Sequence, residues 1–145
     1  MPTKHILDSN LGNQLRRANR KQWGKLFNYS LPPLCWMAII LLLIGIPGYK
    51  FPSSDLLSAD KFIHFGLYFV LSFLWMQAFI KQNSIAVLRF HAGFYTLVIG
   101  FLYSGLTEML QGLLFIQRSA DVLDYLANAS GSLAGFYFFR VFIRR

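Results

Sequence analysis

Four long apolar runs constrain what this chain can fold into. They cover about residues 31–46, 62–80, 92–115 and 122–143. The last three each have about the 20 residues that an α-helix needs to cross the core of a bilayer. Only 14% of the residues are charged, against roughly 25% in soluble chains, which is too few to cover a soluble fold of this size. The runs predict an all-α, polytopic membrane protein built as a four-transmembrane-helix bundle.

The first part of the chain differs from the rest because it is polar and basic. Residues 1–29 are predicted to form a basic cytoplasmic tail, and residues 30–145 the four-helix transmembrane domain. Two interpretations of the tail remain open, an amphipathic segment on the membrane surface and a disordered arm. Pro32 and Pro33 predict that the first membrane helix begins beside them, because a missing amide hydrogen costs little in a first turn.

Basic residues are unevenly distributed between the loops, and this predicts the orientation. Six of them lie in the tail, Lys81 and Arg89 lie between the second and third runs without an acid, and the C-terminus is also basic. The positive-inside rule then places both termini and the loop that carries Lys81 and Arg89 on the cytoplasmic side of the membrane. The net charge of +8 is therefore assigned to orientation and to contact with anionic lipids, and nucleic acid is not expected as a partner.

The remaining polar residues of the runs collect at the opposite, outward end of the predicted bundle. Along the chain they are Asp60, Lys61, His64, Tyr68, Glu108, Gln111, Arg118, Asp121, Asp124 and Asn128. Spacings of three, four, seven or eight residues form three stripes, each on one helical face. The stripes are Asp60, His64 and Tyr68; Glu108 and Gln111; and Asp121, Asp124 and Asn128. Lipid cannot hydrate such side chains, so we expect the three stripes to face one another inside the bundle.

Glu108 is the most informative member of this set. It lies about six residues inside the end of the third run, or roughly 9 Å deep at 1.5 Å per residue. A carboxylate at the middle of a membrane costs about 2.5–3.5 kcal/mol even on lenient insertion scales. Glu108, His64 and Asp124 are therefore the candidate catalytic acid–base residues. The other seven residues of the set are candidate ligand-binding residues.

Purely structural roles would also explain single members. Glu108 paired with His64 would hold two helices together. Asp60 and Asp121 each precede a predicted helix start and suit helix N-caps. The Gly131–Gly135 pair has the small-xxx-small spacing that permits close helix contact. A cluster at one end of the bundle goes beyond what helix association requires, which favours a functional interpretation.

Three chemistries remain open for the cluster. A histidine with two or three carboxylates could hold Mg²⁺, Mn²⁺ or Zn²⁺, or the same groups could perform general acid–base chemistry. Alternatively, Arg118 and Lys61 could bind a phosphate or carboxylate headgroup. The chain has no HExxH or GxSxG motif and no obvious nucleophile. No particular metal or cofactor follows from these patterns.

Two segments of the chain resemble the VanZ-like family of bacterial integral membrane proteins. They are DKFIHFGLYFVLSFLW, from Asp60 to Trp75, and GLTEMLQGLLFIQRSADVLDYLANASGSLAGF, from Gly105 to Phe136. The family pattern is DKxxHFxxY, then ExxQ, then Arg, then DxxDxxxNxxG. It falls on the polar set given above, together with Phe65 and Gly131. The resemblance covers the second to fourth runs and leaves out the basic tail.

The resemblance implies a cell-envelope membrane protein. The family's namesake is associated with resistance to teicoplanin, a lipoglycopeptide that binds cell-wall precursors outside the membrane. Expected partners are then membrane lipids and a lipid-linked cell-wall precursor or a lipoglycopeptide. The leading hypothesis is an outward-facing polar pocket that binds, or binds and modifies, such an amphiphilic ligand. The alternatives are a structural or partner-binding module without catalysis and a metal-dependent membrane hydrolase.

Overall fold

The computed structural model describes residues 3–44, 55–114 and 122–143. Helices occupy most of these ranges: α1 is Thr3–Ile44, α2 Asp55–Lys81, α3 Ala86–Phe90, α4 Ala92–Leu114 and α5 Val122–Phe138, followed directly by a π-helical turn at Phe139–Ile143. The described ranges contain no strand. The all-α prediction is therefore confirmed.

Within the described ranges, three helices are long and apolar enough to cross a membrane. The qualifying segments are Gln14–Leu43, Asp60–Lys81 and Ala92–Leu113. The fourth predicted run is helical over 122–143, but its α-helical part has 17 residues, fewer than the roughly 20 that cross a bilayer core. The structure thus supports three candidate spans, and the fourth span stays a prediction.

The first helix is longer than predicted. It begins at Thr3 and continues through Pro32 and Pro33, so these prolines do not mark its start, and the basic segment is helical rather than disordered. Each proline removes one backbone hydrogen bond, which leaves the carbonyls of Asn28 and Tyr29 without their helical donors. Both residues are exposed. Water or lipid headgroups can therefore satisfy these carbonyls, which makes prolines tolerable inside this helix.

The helix α2 is the centre of the bundle, because it packs most extensively against α5 and also contacts α1 and α4. Two glycines of α5 allow the closest approach. A Cβ atom at Gly131 would overlap the backbone oxygen of Phe65, and one at Gly135 would overlap that of Phe69. The predicted close helix contact at this pair is therefore confirmed, and its partner is α2.

The interior between α2, α4 and α5 differs at its two ends. One end, called the aromatic end, consists of Phe73, Trp75, Phe79, Tyr95 and Phe139, with ring centroids 5.0 Å apart for Trp75 and Phe79 and 5.4 Å apart for Phe73 and Phe139. The other, called the polar end, consists of Asp60, Lys61, His64, Glu108, Asp124 and Asn128. Large apolar side chains such as Leu102 and Leu113 are exposed on the outside, as suits contact with lipid.

Candidate functional site

Three buried side chains from three helices form the centre of the polar end. Asn128 of α5 lies between His64 of α2 and Glu108 of α4. Its Oδ1 is 3.0 Å from His64 Nδ1, and its Nδ2 donates to Glu108 Oε1 at 3.1 Å. The exposed fractions are 0% for Asn128, 5% for His64 and 6% for Glu108. A polar amide with no exposure is stable here because it has a partner for both its donor and its acceptor.

A second group lies toward the surface. Lys61 Nζ is 3.4 Å from Asp124 Oδ1, which joins α2 to α5 by an ion pair. Asp60 Oδ1 is 4.0 Å from His64 Nε2, one helical turn away on the same helix. The side chains of Asp124, Lys61 and Asp60 are 13%, 27% and 39% exposed. Solvent exposure at the polar end therefore increases from its buried centre to a partly open rim, formed by Asp124, Lys61 and Asp60.

Tyr68 lies deeper in the bundle than the acids and has a different partner. Its hydroxyl is 2.7 Å from Thr107 Oγ1. Thr107 Oγ1 donates to the backbone oxygen of Ser104 at 2.9 Å, so Tyr68 is the donor to Thr107. Thr107 did not feature in the sequence prediction, although it lies one helical turn before Gln111 and shares its buried face.

The other predicted site residues have different outcomes. Gln111 is buried at 3% exposure on the same face of α4 as Glu108. Asp60 lies one turn inside α2, which begins at Asp55, so the N-cap interpretation of Asp60 is wrong. Arg118 and Asp121 lie outside the described residues. For the remaining members, helical spacing correctly predicted that the stripes face inward and meet, whereas the roles of these residues in catalysis or ligand binding stay predictions.

An open groove lies beside the rim, between α2 and α5. It has a volume of about 190 Å³ and is lined by Lys61, Phe62, Phe65, Ala127 and Ser130. Phe62 is 75% exposed. The groove combines an ammonium group with an apolar wall on the outer surface of the bundle. Such a surface suits a molecule with an anionic group attached to a hydrocarbon chain.

The arrangement of ionisable groups permits two kinds of chemistry. One oxygen each from Asp60 and Asp124 and one nitrogen of His64 lie within 4.8 Å of one another, close enough to share a metal ion. Glu108 Oε1 and His64 Nδ1 are 3.9 Å apart, so a proton could pass between this acid–base pair through a bridging water. The described residues provide no serine, threonine or cysteine paired with His64, so nucleophilic catalysis lacks its usual geometry here.

The fold and the site define a class of protein, an all-helical chain with helices of membrane-spanning length that enclose a polar cluster at one end. The model of the VanZ/LLP1 family matches residues 7–143, and the chain belongs to this family. The match includes most of the basic N-terminal segment, which the motif resemblance had left out. The searches for similar curated proteins and similar solved structures found no match.

Proposed function

We propose that this VanZ-like protein crosses the bacterial cell membrane with four helices and binds an amphiphilic, lipid-linked ligand at its polar end, which faces outward. The observation that carries the proposal is the junction between the groove and the buried cluster. Lys61 lines the groove and also pairs with Asp124. An anionic headgroup entering the groove therefore meets a cation first and the acid–base residues next.

The groove opens sideways, and this favours a ligand that arrives from the bilayer. Phe62 and Phe65 form its apolar wall on α2, next to the exposed apolar exterior of the bundle. A lipid can lay its hydrocarbon chain against this wall without leaving the membrane, so little apolar surface is exposed to water on binding. A water-soluble ligand would gain nothing from such a wall.

Orientation and ligand class extend the same proposal. Arg16, Arg17, Arg20 and Lys21 line one open groove on the N-terminal half of α1, where anionic lipids of the cytoplasmic leaflet would attract them. The polar end then lies in the outer leaflet. Lipid-linked cell-wall precursors are exposed there, so these molecules and the lipoglycopeptides that bind them are the ligands to test for a member of this family.

A structural role is the main competing function, and one observation favours it. Hydrogen bonds to His64 and Glu108 satisfy both ends of the Asn128 amide without any ligand, as expected in a network that only joins helices. The two functions differ in what a charge-removing substitution at the rim does. A structural network predicts lower abundance, whereas a binding pocket predicts lost ligand at normal abundance.

The test compares Lys61→Gln and Glu108→Gln with Lys81→Gln, a control on the exposed opposite end of α2. Immunoblotting measures abundance, and a fluorescent reporter fused after Arg145 fluoresces only if the C-terminus is cytoplasmic. Mass spectrometry of the purified proteins identifies retained lipids, and teicoplanin susceptibility of the cells is measured in parallel. We expect the wild type and the control to retain an enriched anionic amphiphile. Lys61→Gln should reduce its retention about tenfold, since hydrogen bonds to charged groups contribute about 1.5–3 kcal/mol.

Each other outcome has a defined meaning. Retention at the wild-type level in both pocket variants, with normal abundance, rejects ligand binding at the polar end. Reduced abundance with unchanged retention per molecule supports the structural module instead. If the protein is abundant but the reporter does not fluoresce, the C-terminus is not cytoplasmic and the proposed orientation is wrong. Altered teicoplanin susceptibility that tracks lipid retention would connect the pocket to resistance, and independence of the two would separate them.

A further inference from the structure

We infer that Asp60, His64 and Asp124 form a binding site for one divalent transition-metal ion, with His64 Nε2 as the nitrogen ligand. One carboxylate oxygen of each aspartate and one imidazole nitrogen of His64, from neighbouring turns of α2 and α5, lie within 4.8 Å of one another. This inference goes beyond lipid binding and does not depend on it, because the ion alone can be used as the probe.

The hydrogen bonds around Asn128 determine which imidazole nitrogen is available. A carboxylate only accepts hydrogen bonds, so the Asn128 amide must present Nδ2 to Glu108, as it does at 3.1 Å. Its Oδ1 then faces His64 Nδ1 at 3.0 Å, and Nδ1 must be the donor. In the neutral imidazole this leaves Nε2 with a free lone pair. Metal-binding histidines are commonly held in this way, with the second ring nitrogen donating to a neighbouring oxygen.

His64 Nε2 lies on the Asp60 side of the ring and forms no hydrogen bond within the described part of the chain. Its nearest carboxylate oxygen, on Asp60, is 4.0 Å away. A charge-assisted hydrogen bond between these groups would be about 2.7–2.9 Å long, so the gap is too wide for a shared proton. His64 is only 5% exposed, so a cation held between its lone pair and the two carboxylates would be largely shielded from water.

The spacing and ligand types indicate which ions fit. Zinc bonds to nitrogen and oxygen are about 2.0–2.2 Å long, so in tetrahedral geometry two ligand atoms lie roughly 3.3–3.6 Å apart. The present separations, up to 4.8 Å, therefore need an inward movement of roughly 1–1.5 Å on binding. One imidazole with two carboxylates suits Zn²⁺ or Mn²⁺ better than Ca²⁺, which prefers oxygen ligands alone. Asp60 is partly exposed, so an ion can reach the site from solvent past this residue. Lys61 competes with the ion for one oxygen of Asp124.

Three protein ligands leave at least one coordination position open, as catalytic zinc sites do. Water or an anionic group can occupy that position beside Lys61. Here the inference rests on the proposed function, because the anionic group would be the headgroup of the lipid in the groove. Binding of the metal ion by the three side chains does not require the headgroup.

The test is a titration of the purified full-length chain, without an affinity tag, with Zn²⁺ alone in detergent, followed by competition with Mn²⁺. We expect one bound ion per chain. His64→Ala and Asp60→Asn should weaken Zn²⁺ binding at least 100-fold. Asn128→Ala should weaken it roughly 10–100-fold, as expected for a residue that only orients a ligand. His91→Ala is the matched control, since His91 is an exposed histidine outside the site, and it should bind Zn²⁺ as the wild type does.

Two results would overturn the inference: no stoichiometric Zn²⁺ binding by the wild type, or undiminished binding by His64→Ala. If the histidine variant does not fold, Asp60→Asn carries the test, because its side chain is the most exposed of the three. Failure of metal binding would leave the lipid proposal untouched, since lipid retention is measured separately. Failure of lipid retention would likewise leave the Zn²⁺ titration valid.

Discussion

The polar end and the aromatic end are built on the same three helices, yet different forces hold them together. At the aromatic end, rings such as Trp75 and Phe79 pack with centroids 5.0 Å apart. At the polar end, an amide and two ionisable groups are joined by directional hydrogen bonds. Aromatic packing tolerates changes of shape, whereas a hydrogen-bonded network requires specific atoms in specific positions.

The contacts that hold the helices together can be distinguished from the polar groups that are available for a function. In the proposed membrane placement, apolar contact between helices gains little from the hydrophobic effect, because lipid is equally apolar. Tight backbone packing at Gly131 and Gly135 and the aromatic contacts already account for the association of α2 with its neighbours. Two carboxylates, a histidine and a lysine near one groove are unnecessary for that purpose, and this excess is the argument for a site.

The largest expected effect tests whether backbone contact holds the polar end together. Gly131→Ala places a methyl group into the backbone oxygen of Phe65, so α2 and α5 must separate. We expect a loss of roughly 3 kcal/mol or more of stability, at the upper end for an overpacked interior. The thermal unfolding of the purified variant in detergent measures it.

Gly66→Ala is the matched control for that substitution. Gly66 lies on α2 with nothing within 4 Å of an added Cβ atom. Because alanine favours helix more than glycine does, we expect this control to be neutral or more stable by up to about 1 kcal/mol. Equal effects at the two glycines would contradict the close α2–α5 contact.

An intermediate effect compares the polar end with the apolar interior through one leucine substitution in each. Asn128→Leu leaves Glu108 Oε1 and His64 Nδ1 without the amide between them, at a cost of roughly 2–3 kcal/mol. Met76→Leu in the apolar interior, where Met76 is 2% exposed, should cost less than about 1.5 kcal/mol. Thermal unfolding of both variants measures the difference. If Asn128→Leu is tolerated as well as Met76→Leu, the polar end is not a specific network.

Helical spacing predicted part of this arrangement from the sequence. His64, Glu108 and Asn128 were expected to share the interior because lipid cannot solvate them and their stripes lie on single helical faces. Spacing could not tell which atoms would meet, since that depends on how the helices rotate and cross. The direction of the hydrogen bonds through Asn128, and hence the free nitrogen of His64, therefore required the structure.

Two other structural features could not be predicted from the local sequence. Pro32 and Pro33 resembled a helix start, but they lie inside α1, because a membrane helix can satisfy freed carbonyls in other ways. Gln82 follows directly after α2 and had no assigned role in the sequence. It is completely buried, and its amide forms hydrogen bonds with the backbone of Phe79, Ser84 and Ile85 that shape the loop between α2 and α3. Local sequence does not distinguish such a residue from a solvated one.

The smallest effect is expected for a substitution at Ser132, which lies between the polar end and the aromatic end. Ser132 is fully buried, and its hydroxyl has no hydrogen-bond partner within the described residues. Ser132→Ala removes an unsatisfied polar atom, so we expect a change in stability of zero to about 1 kcal/mol in the stabilising direction. Thermal unfolding of the purified variant measures it.

Thr107→Val is the comparison for Ser132→Ala, because it removes the acceptor of the Tyr68 hydroxyl while keeping the shape of the side chain. It should cost about 1–2 kcal/mol, the penalty for leaving a buried donor unpaired. A similar cost for Ser132→Ala would show that its hydroxyl has a partner such as bound water, because removal of an unsatisfied group cannot destabilise the fold in that way. The polar end would then extend one turn deeper than the hydrogen bonds between side chains, and the boundary between the two ends would move toward the aromatic rings.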